Sequence, residues 1–158
     1  QGMQPLVGYN FGRRHFERVT RAITLSLRAT VVYGLVVSAL CLLFPAALIR
    51  LISTEPVILA EGQTALRLLS LAYPMSGVAI LVAAYFQSLG KAKEALLLTL
   101  GGMLLVKIPV LLLAARLFGV NGIWASEVTS EAILCAVALL MLRHEQAKAT
   151  LEWSDGPV

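Results

Sequence analysis

Residues 29–49 read ATVVYGLVVSALCLLFPAALI, an apolar run of 21 residues without a charged side chain. Residues 68–90 form a second uncharged run, and residues 95–115 contain only one charge, Lys107. A helix needs about 20 residues to cross the hydrocarbon core of a bilayer. Because the runs are continuous and do not alternate with period two, they exclude the strands of a membrane barrel. The sequence therefore predicts an all-α, polytopic membrane helical bundle.

A fourth span is predicted at residues 120–142, although this segment contains Glu127 and Glu131. Two carboxylates lower its hydropathy, so an interfacial helix is the alternative interpretation. Residues 119–123 contain two glycines and an asparagine, which favour a turn after the third span. We interpret the segment as a membrane span that returns from that turn.

The boundaries follow from apolar runs, prolines and glycines. They predict the end of a truncated membrane helix at 1–12, a cytoplasmic amphipathic basic helix at 13–28, membrane helices at 29–52, 57–90 (kinked near residue 74), 92–117 and 120–143, and a disordered cytoplasmic tail at 144–158. Residue 1 is not a methionine and stands close to a membrane helix, so we interpret the chain as a fragment of a longer protein.

Composition supports a lipid environment. Hydrophobic residues make up 58% of the chain, charged residues 14%, and the formal net charge is +4. A basic chain can bind nucleic acid, but here the positive charges are divided by topology. Alternating the loops places nine Lys/Arg on one side of the membrane and three on the other, with Lys107 between them. The positive-inside rule assigns the richer side, which includes the C-terminus, to the cytoplasm, and nucleic acid is not expected as a partner.

Three charged residues inside the predicted spans are the first candidates for function. Lys107 lies in the middle of the third span, where a cation costs roughly 3 kcal/mol and should face protein or water. Glu127 and Glu131 are one helical turn apart, with Glu131 deeper. We predict a Lys107–Glu131 ion pair between two helices, and either a transport role or a purely structural role would account for it.

The second span carries candidates for the wall of a cavity: Tyr73, Ser76 and Gln87. They mark a more polar side of this span, which Pro74 is predicted to kink, and such broken helices line water-filled cavities in many transporters. Close helix packing is the alternative explanation for the small residue Ser76.

Signatures of enzymes and metal sites are missing from the sequence. It has no phosphate-binding loop, no nucleophile elbow and no paired-histidine motif, so an enzyme is not expected. His15 and His144 have no Cys or carboxylate at metal-ligand spacing, which disfavours zinc or haem. We expect neither a metal nor a cofactor.

Three motifs together resemble one transporter family. They are QPLVGYNFG at residues 4–12, YFQSLGK at 85–91 and FGVNGIW at 118–124. In this order and spacing they are similar to the C-terminal lobe of multidrug and toxic compound extrusion (MATE) transporters of the bacterial branch.

The resemblance implies a twelve-helix fold in two six-helix lobes, of which this chain would hold the end of helix eight and helices nine to twelve. It also implies efflux of small, drug-like organic compounds by alternating access, coupled to entry of sodium ions or protons. The coupling ion would bind mainly in the N-terminal lobe, which would be the partner of this chain together with membrane lipid. The expected location is the bacterial inner membrane.

The sequence is also compatible with two other functions. A flippase for lipid-linked precursors of the same superfamily should offer several basic groups to a pyrophosphate, whereas Lys107 is the one cation deep in a predicted span. A non-transporting membrane scaffold would gain no evident advantage from charges within the bilayer. We therefore expect a secondary active multidrug antiporter.

Overall fold

A computed structural model of the chain describes the backbone of residues 2–154 and the side chains of residues 2–148. All regular elements in this part are helical, which confirms the all-α class. They are α1 (Met3–Gly12), α2 (Phe16–Leu43), α3 (Pro45–Arg50), α4 (Pro56–Ser70), α5 (Tyr73–Ser88), α6 (Ala92–Leu96), a π-helical segment (Leu97–Lys107) and α7 (Ile108–Ser154).

The predicted basic helix at 13–28 and membrane helix at 29–52 are divided differently in the structure. Residues 13–15 form a turn, in which Arg14 adopts a left-handed conformation with φ 57°, and α2 then runs unbroken from Phe16 to Leu43. The helix is interrupted at Phe44, and α3 starts at Pro45. A proline disfavours helical conformation for the residue before it, so two helices replace the single helix predicted at 29–52.

The second predicted span, 57–90, consists of α4 and α5 with a bend of 49° between them. The break lies at Leu71 and Ala72, and Pro74 occupies the first turn of α5. Proline is accepted in a first turn because its missing N–H has no helical partner there. Ser70 is completely buried at the bend, and its hydroxyl donates a hydrogen bond to the Arg67 carbonyl at 2.8 Å.

The third predicted span, 92–117, contains an unexpected π-helix over Leu97–Lys107. At its end the Ile108 N–H donates to the Met103 carbonyl, five residues earlier. Pro109 follows directly, and a proline ring clashes with the carbonyl four residues before it in an α-helix. Wider turns before Pro109 relieve this clash, as π turns do within longer helices.

The fourth span is separated from the third by a reversal at Gly119. This residue has φ 59° and ψ −139°, a conformation open essentially to glycine alone. The reversal divides α7 into an N-terminal arm, residues 108–118, and a C-terminal arm, residues 120–154. The C-terminal arm packs back against the π-helical segment, where Gly102 faces Leu134. The two arms therefore form an antiparallel hairpin.

The predicted disordered tail at 144–158 is wrong for residues 144–154, because α7 continues to Ser154. Residues 143–149 are mostly strong helix formers, and Glu145 makes an ion pair with Lys91 at the start of α6. That contact stabilises the helix beyond the apolar run. Residues 155–158 lie outside the described part of the chain.

Helix α5 is the centre of the bundle and contacts α1, α2, α6, the π-helical segment and α7. The core includes Val7, Ile23, Val82 and Phe86, all at most 1% exposed. Large apolar side chains also cover the outer surface, among them Val32, Tyr33, Leu105 and Leu112. A surface this apolar indicates lipid as the solvent. Two helical segments are long and apolar enough to span a membrane, helix 16–43 and the segment 92–148, which reverses at Gly119, and the bent α4–α5 pair passes the same test as a third.

Helices α2 and α5 cross closely at Gly34, which leaves no room for a side chain. A Cβ atom built on Gly34 would lie 2.7 Å from the Pro74 Cα, so Gly34→Ala should force the helices apart and destabilise the protein by about 1–3 kcal/mol. Gly8→Ala is the matched control, because its Cβ would meet the Ser88 carbonyl oxygen at an ordinary 3.5 Å. Thermal unfolding in detergent measures both variants, and an equal response would contradict the close crossing.

Candidate functional site

Lys107, Glu127 and Glu131 form one charged cluster inside the bundle. The Lys107 Nζ lies 2.7 Å from the Glu131 Oε1 and 2.8 Å from the Glu127 Oε1. Lys107 ends the π-helical segment, while both carboxylates lie on the C-terminal arm of α7. The predicted Lys107–Glu131 ion pair is present, and Glu127 joins it as a second partner.

The two carboxylates differ in their surroundings. The Glu131 side chain is 7% exposed, whereas that of Glu127 is 40% exposed and that of Lys107 34%. Ser130 and Ser126 are also buried on this arm, so small polar side chains accompany the charges. The cluster has one positive and two negative groups and hence a formal excess of one negative charge. It can attract or exchange a cation, and it does not favour an anion.

A cavity of about 380 Å³ opens beside the cluster between three helices. Its wall is formed by Ser76, Ala79, Ile80, Leu98, Thr99, Met103, Lys107, Glu131 and Leu134. Most of this wall is apolar, and its two charged residues, Lys107 and Glu131, lie next to each other. Ligand cavities commonly have this size and this combination of an apolar wall with a few polar groups.

The three predicted wall residues do not share one cavity. Ser76 lines the cavity beside Lys107. Gln87 lines a second cavity, of about 390 Å³, where the Gln4 side-chain amide donates to its carbonyl oxygen at 3.2 Å. Tyr73 is 41% exposed and lines neither of these two cavities, so the structure does not place it with the other two. Ser76 and Gln87 are three turns apart on α5, which is why they reach different spaces.

Thr99 and Met103 belong to the cavity wall but were not identified from the sequence. They precede Lys107 by eight and four residues, so all three lie on one side of their helix. This spacing was the signal that could have indicated them. The Thr99 hydroxyl donates to the Ala95 carbonyl at 2.9 Å, which satisfies this polar group on a mostly apolar wall.

Membrane-length apolar helices arranged as hairpins, with a charged cluster and a cavity between them, are typical of polytopic membrane transporters. The particular family is shown by a family model, MatE, which matches residues 1–113. The chain belongs to the MatE family.

Solved structures agree with this assignment. The chain is similar to the MATE multidrug transporter DinF-BH, solved in complex with rhodamine 6G, at 28% identity and a TM-score of 0.83 over 91% of this chain. It has the fold of an inward-facing multidrug resistance MATE family transporter of the MOP superfamily, at 21% identity and a TM-score of 0.85 over 98% of the chain. A MOP superfamily transporter from Pyrococcus furiosus shares the fold at 22% identity and a TM-score of 0.84 over 90% of the chain.

The chain spans about a third of the length of these transporters, covering 32%, 36% and 33% of their chains, respectively. A comparison with curated proteins gave no significant match. The structure thus corresponds to part of a larger helical transporter fold.

Proposed function

We propose that this chain is the C-terminal part of a secondary active exporter that moves organic cations out of the cell in exchange for sodium ions or protons. The observation that carries the proposal is the Lys107–Glu127–Glu131 cluster beside a mostly apolar cavity. Family membership supports the transporter class, and the ligand of DinF-BH, rhodamine 6G, supports a small organic substrate.

The sign of the cluster supports a cationic substrate. Lys107 alone would repel a cation, but the two carboxylates outweigh it. An organic cation could bind its apolar body along Ile80, Met103 and Leu134 while its charge faces the carboxylate side. A pyrophosphate would meet excess negative charge, which disfavours the flippase alternative. A scaffold function would leave the cavity and the charges without a use.

Alternating access requires one repeat of a transporter to move against another. The bend between α4 and α5 and the reversal at Gly119 provide places where helices can change direction. Across the bend the Ala72 N–H still donates to the Leu69 carbonyl at 3.0 Å, so the backbone there keeps hydrogen-bond partners in lipid. We propose a rocking movement against an N-terminal lobe, which would also hold most of the coupling ion's ligands. We further propose a bacterial inner-membrane location with the C-terminus in the cytoplasm, on the basis of the distribution of Arg and Lys.

The direct test reconstitutes the protein that contains this chain in liposomes loaded with rhodamine 6G. An imposed inward gradient of sodium ions or of protons should accelerate export of this compound, and protein-free liposomes supply the background. The gradient that works identifies the coupling ion. Export that is equally fast without either gradient would refute an antiporter.

The role of the cavity predicts a difference between two threonines. Thr99 and Thr129 are both exposed, but Thr99 lines the cavity and Thr129 does not. Each hydroxyl donates a hydrogen bond to the carbonyl four residues earlier, at 2.9 Å for Thr99 and 3.0 Å for Thr129. Thr99→Leu should fill part of the cavity and lower the rate of rhodamine 6G export by about tenfold, since one or two misplaced methyl groups in a binding site have effects of this order. Thr129→Leu is the matched control and should leave the rate unchanged. Equal rates for both variants would place the substrate elsewhere.

A further inference from the structure

A groove of about 940 Å³ runs along the outer face of α2, near the turn that follows α1. Its charged and hydroxyl-bearing wall consists of Arg14, Glu17, Thr20, Arg21, Thr24 and Arg28. Three arginines against one glutamate make the groove basic. The transport cavity lies at Lys107, on other helices, so this groove is separate from it.

The groove continues into an apolar stripe on the same face of α2. Leu25 lies between Arg21 and Arg28, and Val32 and Val36 follow Leu25 by seven and eleven residues, which are helical repeats. Leu25, Val32 and Val36 are 66%, 61% and 53% exposed. One face of a single helix therefore presents arginines near its start and bare apolar side chains further along.

We propose that this groove binds an anionic phospholipid, with the phosphate at Arg14, Arg21 and Arg28 and an acyl chain along the Leu25–Val32–Val36 stripe. Arg21 and Arg28 are two helical turns, or about 10 Å, apart, which a phosphorylated glycerol headgroup can bridge. Arginine binds phosphate oxygens through paired N–H groups, and the Thr20 and Thr24 hydroxyls add donors.

The order of polar and apolar groups identifies a lipid as the occupant. Free phosphate would use the arginines alone and leave the stripe without a role. An amphiphile matches both parts in one direction, with its head at the polar end of a membrane-length helix. This inference rests on the proposed topology: with this end in the cytoplasm, as the positive-inside rule assigns it, the groove would lie at the cytoplasmic leaflet, where anionic lipids are available to it. Glu17 opposes the phosphate but is outnumbered by the three guanidinium groups.

Native mass spectrometry of the detergent-purified protein that contains this chain tests the proposal. Titration with phosphatidylglycerol should show tighter binding than titration with phosphatidylcholine, and inorganic phosphate should not compete. Arg21→Gln/Arg28→Gln should weaken phosphatidylglycerol binding by about 30-fold, the equivalent of about 1 kcal/mol for each arginine.

Arg50→Gln/Arg116→Gln is the control, because it removes two exposed arginines near the opposite ends of the helices. It should leave phosphatidylglycerol binding unchanged. Equal losses in the two double variants would reduce the effect to net charge and overturn the site. The site would also be overturned if the protein showed no preference for phosphatidylglycerol and the Arg21→Gln/Arg28→Gln variant lost thermal stability in the absence of lipid. Another protein segment would then cover the groove. Competition by inorganic phosphate would identify a simple anion site instead.

Discussion

Lys107→Leu is expected to destabilise the protein by about 3 kcal/mol and to abolish cation-coupled export. The substitution leaves Glu127 and Glu131 one turn apart without their shared cation, and the Glu131 side chain is only 7% exposed. Removal of one partner of a buried ion pair typically costs about 3–5 kcal/mol, and the partial exposure of Lys107 places the effect near the lower value. Unfolding in detergent and rhodamine 6G export provide the two measurements.

The two carboxylates give graded controls for this prediction. Glu131→Leu should destabilise less than Lys107→Leu, because Lys107 keeps Glu127 as a partner. Glu127→Leu should cost about 1 kcal/mol or less, since its side chain is 40% exposed. In the double variant Lys107→Leu/Glu131→Leu the loss should be clearly smaller than the sum of the single losses. Additive losses, or a larger effect at Glu127 than at Lys107, would contradict the cluster as described.

Gly122→Ala should have an effect of similar size, at roughly 3–4 kcal/mol. A Cβ atom there would lie 2.0 Å from the Ala114 carbonyl oxygen and 2.6 Å from its carbon, so the reversal at Gly119 could not close. The two arms of α7 would separate, and Lys107 would lose its register with the two carboxylates. Both thermal stability and export should therefore fall.

Gly12→Ala is the control for this substitution. Its Cβ would meet no atom within 4 Å, and the residue has no positive φ. Alanine favours helix over glycine, so the control should be neutral or slightly stabilising. A mild effect of Gly122→Ala, comparable with that of Gly12→Ala, would show that the two arms do not approach as closely as the structure describes.

Much of the fold follows from local patterns in the sequence. Run lengths near 20 apolar residues predict spans because the thickness of the bilayer sets the length of a helix. Pro74 predicts a bend close to where α4 and α5 meet, and the glycines at 119 and 122 predict the reversal. The predicted positions of the helix breaks were less accurate. A hydropathy pattern does not contain the contacts and the backbone strain that produce the break at Phe44, the π-helical turns before Pro109 and the extension of α7 to Ser154.

The candidate site shows the same division. Lys107 and Glu131 could be identified from the sequence without the structure, since charges deep in a span need a partner or water. That Glu127 also reaches Lys107 depends on the register of the hairpin, which the backbone geometry at Gly119 and Gly122 sets. Ser76 and Gln87 share a helix but reach different cavities, because different helices pack against α5 at the two levels.

A helical membrane bundle with charges at mid-depth can be predicted from the amino-acid sequence, because lipid permits only a few arrangements of an apolar chain. The three-dimensional packing is needed to see which charges meet, which polar side chains reach a cavity, and that the arginines of α2 adjoin an apolar stripe in a groove. These features depend on helix rotation and register, and both are set by packing between segments far apart in the chain.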